Sequence, residues 1–244
     1  DVRVVNVDDM FFDTLEFKPG SSVLFDNYAS RDITVNEFMA DGSLQPISIF
    51  AEAGINMVKA SGSVSAENVI LKNINATGGA DFTATNSLDL GSNAGWIFDG
   101  AFVPTDFYWV GGSGDWDDYE HHWAASSGGE DFLMRLPSRY DHVIFDTNSF
   151  SEDNSVVTLS SIVKISDLSM VSLSNTMTLK GEGQKGHLHP VRSLDFDPKA
   201  LIDLKMYFES DSNQTLAADG AQFGEHEWYI YKEAGTVEIV GDLN

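Results

Sequence analysis

The chain has 244 residues, 42% hydrophobic and 11% aromatic, which is enough for one elongated core or two smaller ones and too apolar for a disordered segment. Lys and Arg number 14 against 38 Asp and Glu, giving a net charge of −24, and so acidic a surface repels phosphate backbones and disfavours nucleic acid as a partner. There is no cysteine, which removes disulfides, thiolate chemistry and Cys-ligated zinc, and no apolar run approaches the roughly 20 residues that cross a bilayer.

Helical patterning is scarce from the start of the chain. Short alternating runs recur instead: Leu15-Glu16-Phe17, Val23-Leu24-Phe25, Ile33-Thr34-Val35, Ile47-Ser48-Ile49 and Val69-Ile70-Leu71. Apolar residues two apart point to one face, and turn residues such as Pro19-Gly20 and Asp41-Gly42 fall between the runs. The expected fold is all-β. A parallel β-solenoid is the reading preferred, with a β-sandwich array as the alternative, because alternation alone does not separate the two. Phe17, Phe25, Ile49, Val143, Phe145, Phe196 and Leu204 are the expected interior.

Next come Asn75 to Phe82 and Gly91 to Trp96, rich in Gly, Asn, Ser and Thr, residues that bond their own backbone at tight corners. Trp96 and Phe98 are expected to close a hydrophobic column. The segment from Asp99 to Asp106 reads as a connector.

The stretch from Tyr108 to Phe150 is the densest part of the sequence. It holds Tyr108, Trp109, Trp116 and Trp123 among Gly111, Gly112 and Gly114, then His122, a polar loop, and His142 to Phe145 between Asp141 and Asp146. Glycines let the backbone approach closely, and the large rings fill the adjoining space.

An internal repeat links the two halves. Leu15 to Pro19 matches Leu194 to Pro198, with Val23 and Phe25 answering Ile202 and Leu204. Ala40-Asp41-Gly42 matches Ala218-Asp219-Gly220, and Ile49 to Gly54 matches Ile230 to Gly235, all at a spacing of roughly 180 residues. Residues 1–106 are therefore expected to be the C-terminal part of one repeat unit with its connector, and 107–244 the N-terminal part of the next. With Asp1 rather than Met at the start, the chain reads as a piece of something longer.

The runs Asn75 to Trp96 and Tyr108 to Phe150 together resemble repeats of giant Bacteroidetes surface proteins, including SprB-type gliding adhesins exported by type IX secretion. Asp115, Asp117 and Asp118 make this chain more acidic there than the family pattern. The resemblance implies a structural or adhesive repeat of an extracellular bacterial filament, active in adhesion and gliding and without catalysis. Its implied partners are neighbouring repeats, with surface glycans or envelope proteins beyond them.

Candidate chemistry is sparse. Asp115, Asp117, Asp118 and Glu120 offer clustered oxygen ligands for Ca²⁺, although the EF-hand spacing is missing. Otherwise no cofactor is expected. His121-His122 and His187-Leu188-His189 supply no third zinc ligand by spacing. Gly181 to Gly186 spells G-x-G-x-x-G, but Pro190 follows where the dinucleotide fingerprint needs a helix. Gly111 to Asp115 fails the nucleophile elbow at its last position. Trp228, Tyr229 and Tyr231 could stack on sugars, and packing is the preferred reading. The rival functions are a carbohydrate-binding module and a β-helix polysaccharide lyase or hydrolase.

Overall fold

A computed structural model describes residues 2–5 and 8–242, which form 25 strands and no helix. The fold is a parallel β-solenoid of about 10 turns. The chain divides into two compact units, Asp1–Val103 and Pro104–Asn244.

In the first unit each turn of the coil runs through three faces, and long strands such as Ile47–Lys59 bend from one face to the next. On the first face Val23, Ile49 and Leu71 lie side by side. On the second, Ile33, Met57 and Ala76 do so. The third carries a column of Phe17, Ala40, Ala66, Ala84 and Phe98, with small residues between two rings. Like residues meet because parallel in-register pairing stacks each position on its counterpart one turn away.

Corners are made by asparagine. Asn27 donates to the Gly54 carbonyl at 2.9 Å, Asn73 to that of Ala51 at 2.7 Å, and Asn93 to that of Leu71 at 2.9 Å. Each amide ties a corner to the backbone of an adjacent turn, and Asn73 takes a φ of +58° that few other residues accept.

The second unit separates its faces cleanly. One sheet stacks Phe107, Val143, Leu168, Leu194 and Leu216. Another stacks Val157, Leu179, Ile202 and Phe223. The third stacks Val163, Leu188, Met206 and Trp228. These inward columns form one core cluster, and the expected interior residues Val143, Phe145, Phe196 and Leu204 belong to it. Phe17, Phe25 and Ile49 are buried in the cluster of the first unit.

Three of the repeated sequence matches occupy equivalent places. Leu15 to Phe17 and Leu194 to Phe196 each lead through a proline-containing turn to the strand of the next face, Ser22–Asp26 or Ala200–Asp203. Ala40 and Ala218 follow one coil later, where Asp41 ends the strand Arg31–Asp41 but Asp219-Gly220 turn with φ of +44° and +88°. Ile49 to Gly54 and Ile230 to Gly235 do not correspond. The former lies in the strand after that turn, whereas the latter leaves the strand Trp228–Ile230 of the following face.

Candidate functional site

The first turn of the second unit is built around the tryptophans. Trp109, Trp116 and Trp123 are each at most 1% exposed, and each meets Phe145 with ring centroids 5.9 to 6.4 Å apart. Trp109 and Trp123 also face each other across the antiparallel pair of Asp106–Trp109 with Trp123–Ala124, where Tyr108 sits opposite Ala124. That pair covers the strand edge that the first turn would leave open, a protection edge strands need. Two of the indole N–H groups bond locally: Trp109 donates to Gly112 O at 2.7 Å and Trp123 to Trp116 O at 2.8 Å.

Glycine is required here for space as well as conformation. A Cβ on Gly114 would lie 2.0 Å from His122 Nε2, so any side chain would expel the imidazole. Gly111 and Gly112 have φ of +85° and +79°. His122 is buried and stacks on Trp109, while its Nδ1–H donates to Val110 O at 2.7 Å.

Below the rings, Asp146 holds an Asx turn by accepting from Asn148 N at 2.9 Å, and Ser149 O accepts from Gly112 N at 3.1 Å. Phe150 is 3% exposed and stacks on Phe145.

Asp141 is the polar centre of this region and is fully buried. Arg135 grips it with two N–H donors at 2.8 and 2.9 Å. Thr105 N, Ser138 N and Ser138 Oγ also donate to the same carboxylate, at 2.9, 2.9 and 2.6 Å. Five donors replace the water that burial removed, and the Arg135 guanidinium lies 4.6 Å from the Phe107 ring. Arg135 was not singled out from the sequence, because its partner lies across a proline loop of no fixed spacing.

The four acidic candidates for Ca²⁺ are not brought together. Asp115 accepts from Ser160 Oγ and Asp117 from Ser161 Oγ, both at 3.1 Å, whereas Asp118 pairs with His121 at 2.8 Å. Glu120 is exposed. Among the described residues no group of three or more His, Asp or Glu is arranged to hold a metal ion. The hydrogen bond to Asp118 raises the His121 imidazole above its ordinary range.

The Gly181 to Gly186 run is a turn between the strands Met177–Gly181 and His187–Pro190. A Cβ on Gly186 would meet Leu159 O at 2.2 Å, so the close approach of two turns explains the glycine.

On the outer face of the third sheet the sequence singles out His187, His189, Tyr229 and Tyr231 separately, without joining them to one another or to Tyr207 and Glu209. Parallel register places His189 beside Tyr207 and Tyr207 beside Tyr229, and the rings stack at 4.7 and 4.5 Å. His187 Nδ1 lies 3.0 Å from His189 Nε2, and His189 Nδ1–H donates to Glu209 at 3.0 Å. Burial, the largest influence, pushes the His189 imidazole down, and the Glu209 contact opposes it. The Tyr229 hydroxyl donates to Glu227, which pushes the phenol up to about 12. Trp228 points inward against Phe223, and Tyr231 is exposed. The signal that could have found this face is the outward alternation of His187, His189, Lys205, Tyr207, Tyr229 and Tyr231 across three strands.

No helix among the described residues is long and apolar enough to cross a membrane. The chain matches no protein-family model, no curated protein and no solved structure.

Proposed function

We propose that the chain is a structural and adhesive segment of a large extracellular bacterial surface filament, without catalysis of its own. The observation that carries this reading is the tryptophan block. It fills and closes the first turn of a new parallel coil directly after another coil in the same chain. Chains of coil modules, each with its own closure, suit long repetitive rods, in which a unit's stability comes from its own stack and its neighbours. The resemblance of Tyr108 to Phe150 to repeats of gliding adhesins supports the same reading. The net charge of −24 keeps such rods from associating sideways.

The test is attachment of source cells to glass or polysaccharide in the presence of Fab fragments raised against the purified chain. Attachment and surface movement should fall with bound Fab. Undiminished attachment at saturating Fab on intact cells would overturn the adhesive role.

A further inference from the structure

The last turn of the second unit finishes in open strand edges. Among the described residues Gln222–Phe223, Trp228–Ile230 and Val237–Val240 each end their sheet, with no strand beyond them. Their inward side chains lack a cover: Phe223, Trp228 and Val237 are only partly buried against the core, and Ile230 and Ile239 are 57% and 46% exposed. The first turn of the first unit is open in the same way. Val2–Val5 and Met10–Phe17 are the outermost strands of their sheet, and Val4, Met10, Phe12 and Leu15 are only partly buried against its core. A bare edge with apolar side chains is a template for another strand. The start of the second unit, by contrast, is closed by its own pair of Asp106–Trp109 with Trp123–Ala124.

The internal repeat indicates what fits these edges. Aligning Leu15 to Phe17 with Leu194 to Phe196, and Val23 with Ile202, matches the three faces of one unit to the three sheets of the other. The strands Val2–Val5 and Met10–Phe17 then answer to Met177–Gly181, His187–Pro190 and Leu194–Asp195. In the second unit those three are covered by Ser155–Leu159, Ile162–Ile165 and Asp167–Met170 of the turn before. The open last strands, Gln222–Phe223, Trp228–Ile230 and Val237–Val240, answer to parts of Ile47–Lys59 and to Ser63–Glu67. In the first unit these are covered by the following turn, through Val69–Gly78 and Asp81–Asp89. Each open edge of the chain thus has a counterpart in the other unit on which a parallel turn is stacked, and the two edges lack opposite neighbours.

We propose that copies of this chain join end to end, the last turn of one copy's second unit receiving the first turn of the next copy's first unit. The parallel ladders continue across the joint, with Met10 against Trp228, Phe12 against Ile230 and Leu15 against Ile239, so that apolar side chains left open at both ends cover one another. The two surfaces differ, so each added copy brings a fresh edge and association is open-ended. A net charge of −24 on every copy opposes the joint, and added salt favours it by screening that repulsion. This goes beyond the role proposed above, since the joint is a property of two strand edges wherever the protein resides.

The experiment is sedimentation velocity of the purified full chain over a concentration series at low and high salt. Monomer should give way to dimer and then to longer oligomers as concentration rises, and association should tighten with salt. Ile239→Lys blocks one end and Leu15→Lys the other, and each alone should weaken self-association at least about tenfold. Mixed, the two variants should form a 1:1 pair through their remaining open ends and stop there, which a head-to-tail joint alone produces. Val171→Lys, at an exposed apolar residue away from both edges, should associate as the parent does. Thermal unfolding of every variant is compared with the parent, and Ile230→Lys and Phe12→Lys repeat the test at a second residue of each end. A chain that stays monomeric at every concentration overturns the proposal. So does assembly that stops at a dimer, a mixture of the two blocked variants that fails to pair, or an equal loss in Val171→Lys.

Discussion

The indole of Trp109 and the imidazole of His122 lie 4.3 Å apart, centroid to centroid, with planes only 3° from parallel. Gly114 makes this stack possible, since its missing Cβ is the space His122 occupies. Gly114→Ala should therefore destabilise the second unit by about 1–3 kcal/mol, the range for forcing an extra methyl group into a packed core. Urea unfolding followed by tryptophan fluorescence measures it. An unchanged midpoint would mean the block yields without loss.

Asp141→Asn keeps the size of the side chain but removes the charge that Arg135 and three other donors surround. The expected cost is about 3–5 kcal/mol, because the Arg135 guanidinium loses its buried partner. Replacing both residues by Leu and Met should recover part of that loss, as a vacated ion pair exchanged for apolar packing often does. Paired denaturation curves check both statements.

Two indoles should respond unequally to Trp→Phe. Trp96 is buried against Phe82 and Phe38, and its Nε1 has no hydrogen-bond partner among the described residues. Trp96→Phe removes that unsatisfied donor and should cost little or nothing. Trp123→Phe deletes the bond to Trp116 O as well as ring area, and should cost about 1–2 kcal/mol more. Thermal melts of the two variants rank them.

The two histidines with shifted titration make opposite contributions to stability against pH. His189 holds its proton less well in the folded chain than in the unfolded one. Its contribution is thus intact above the ordinary value of 6.5 and is lost as pH falls through it, because the unfolded chain takes the proton first. His121 is raised, so its small contribution is present below 6.5 and fades as pH rises through its folded value. Its side chain is exposed and screened. A pH series of melting temperatures should show a drop on acidification that His189→Gln flattens and His121→Gln leaves in place.

Much of the fold is legible in local pattern. Ile47 to Ile49 alternates as strands do, Val69 to Leu71 is a continuous apolar run, and both lie in strands. The choice of coil over sandwich is not written in that alternation, which states only which side faces inward. It is settled by corners such as Asn27 and Asn93, where an amide reaches the adjacent turn, and by parallel register that single runs do not reveal. The tryptophan block was visible because rings and glycines crowd one stretch. The Arg135–Asp141 pair and the cleft of Arg139, Lys164 and His189 were not. The pair spans a single loop through Pro137 that matches no motif, whereas the cleft is assembled by the stacking of successive turns.

The proposal that the chain belongs to an external filament is tested most directly by immunogold labelling of intact source cells with antibodies to the purified chain. The account predicts gold particles along filaments outside the outer envelope, with no need to permeabilise the cells. Labelling confined to permeabilised cells would contradict it.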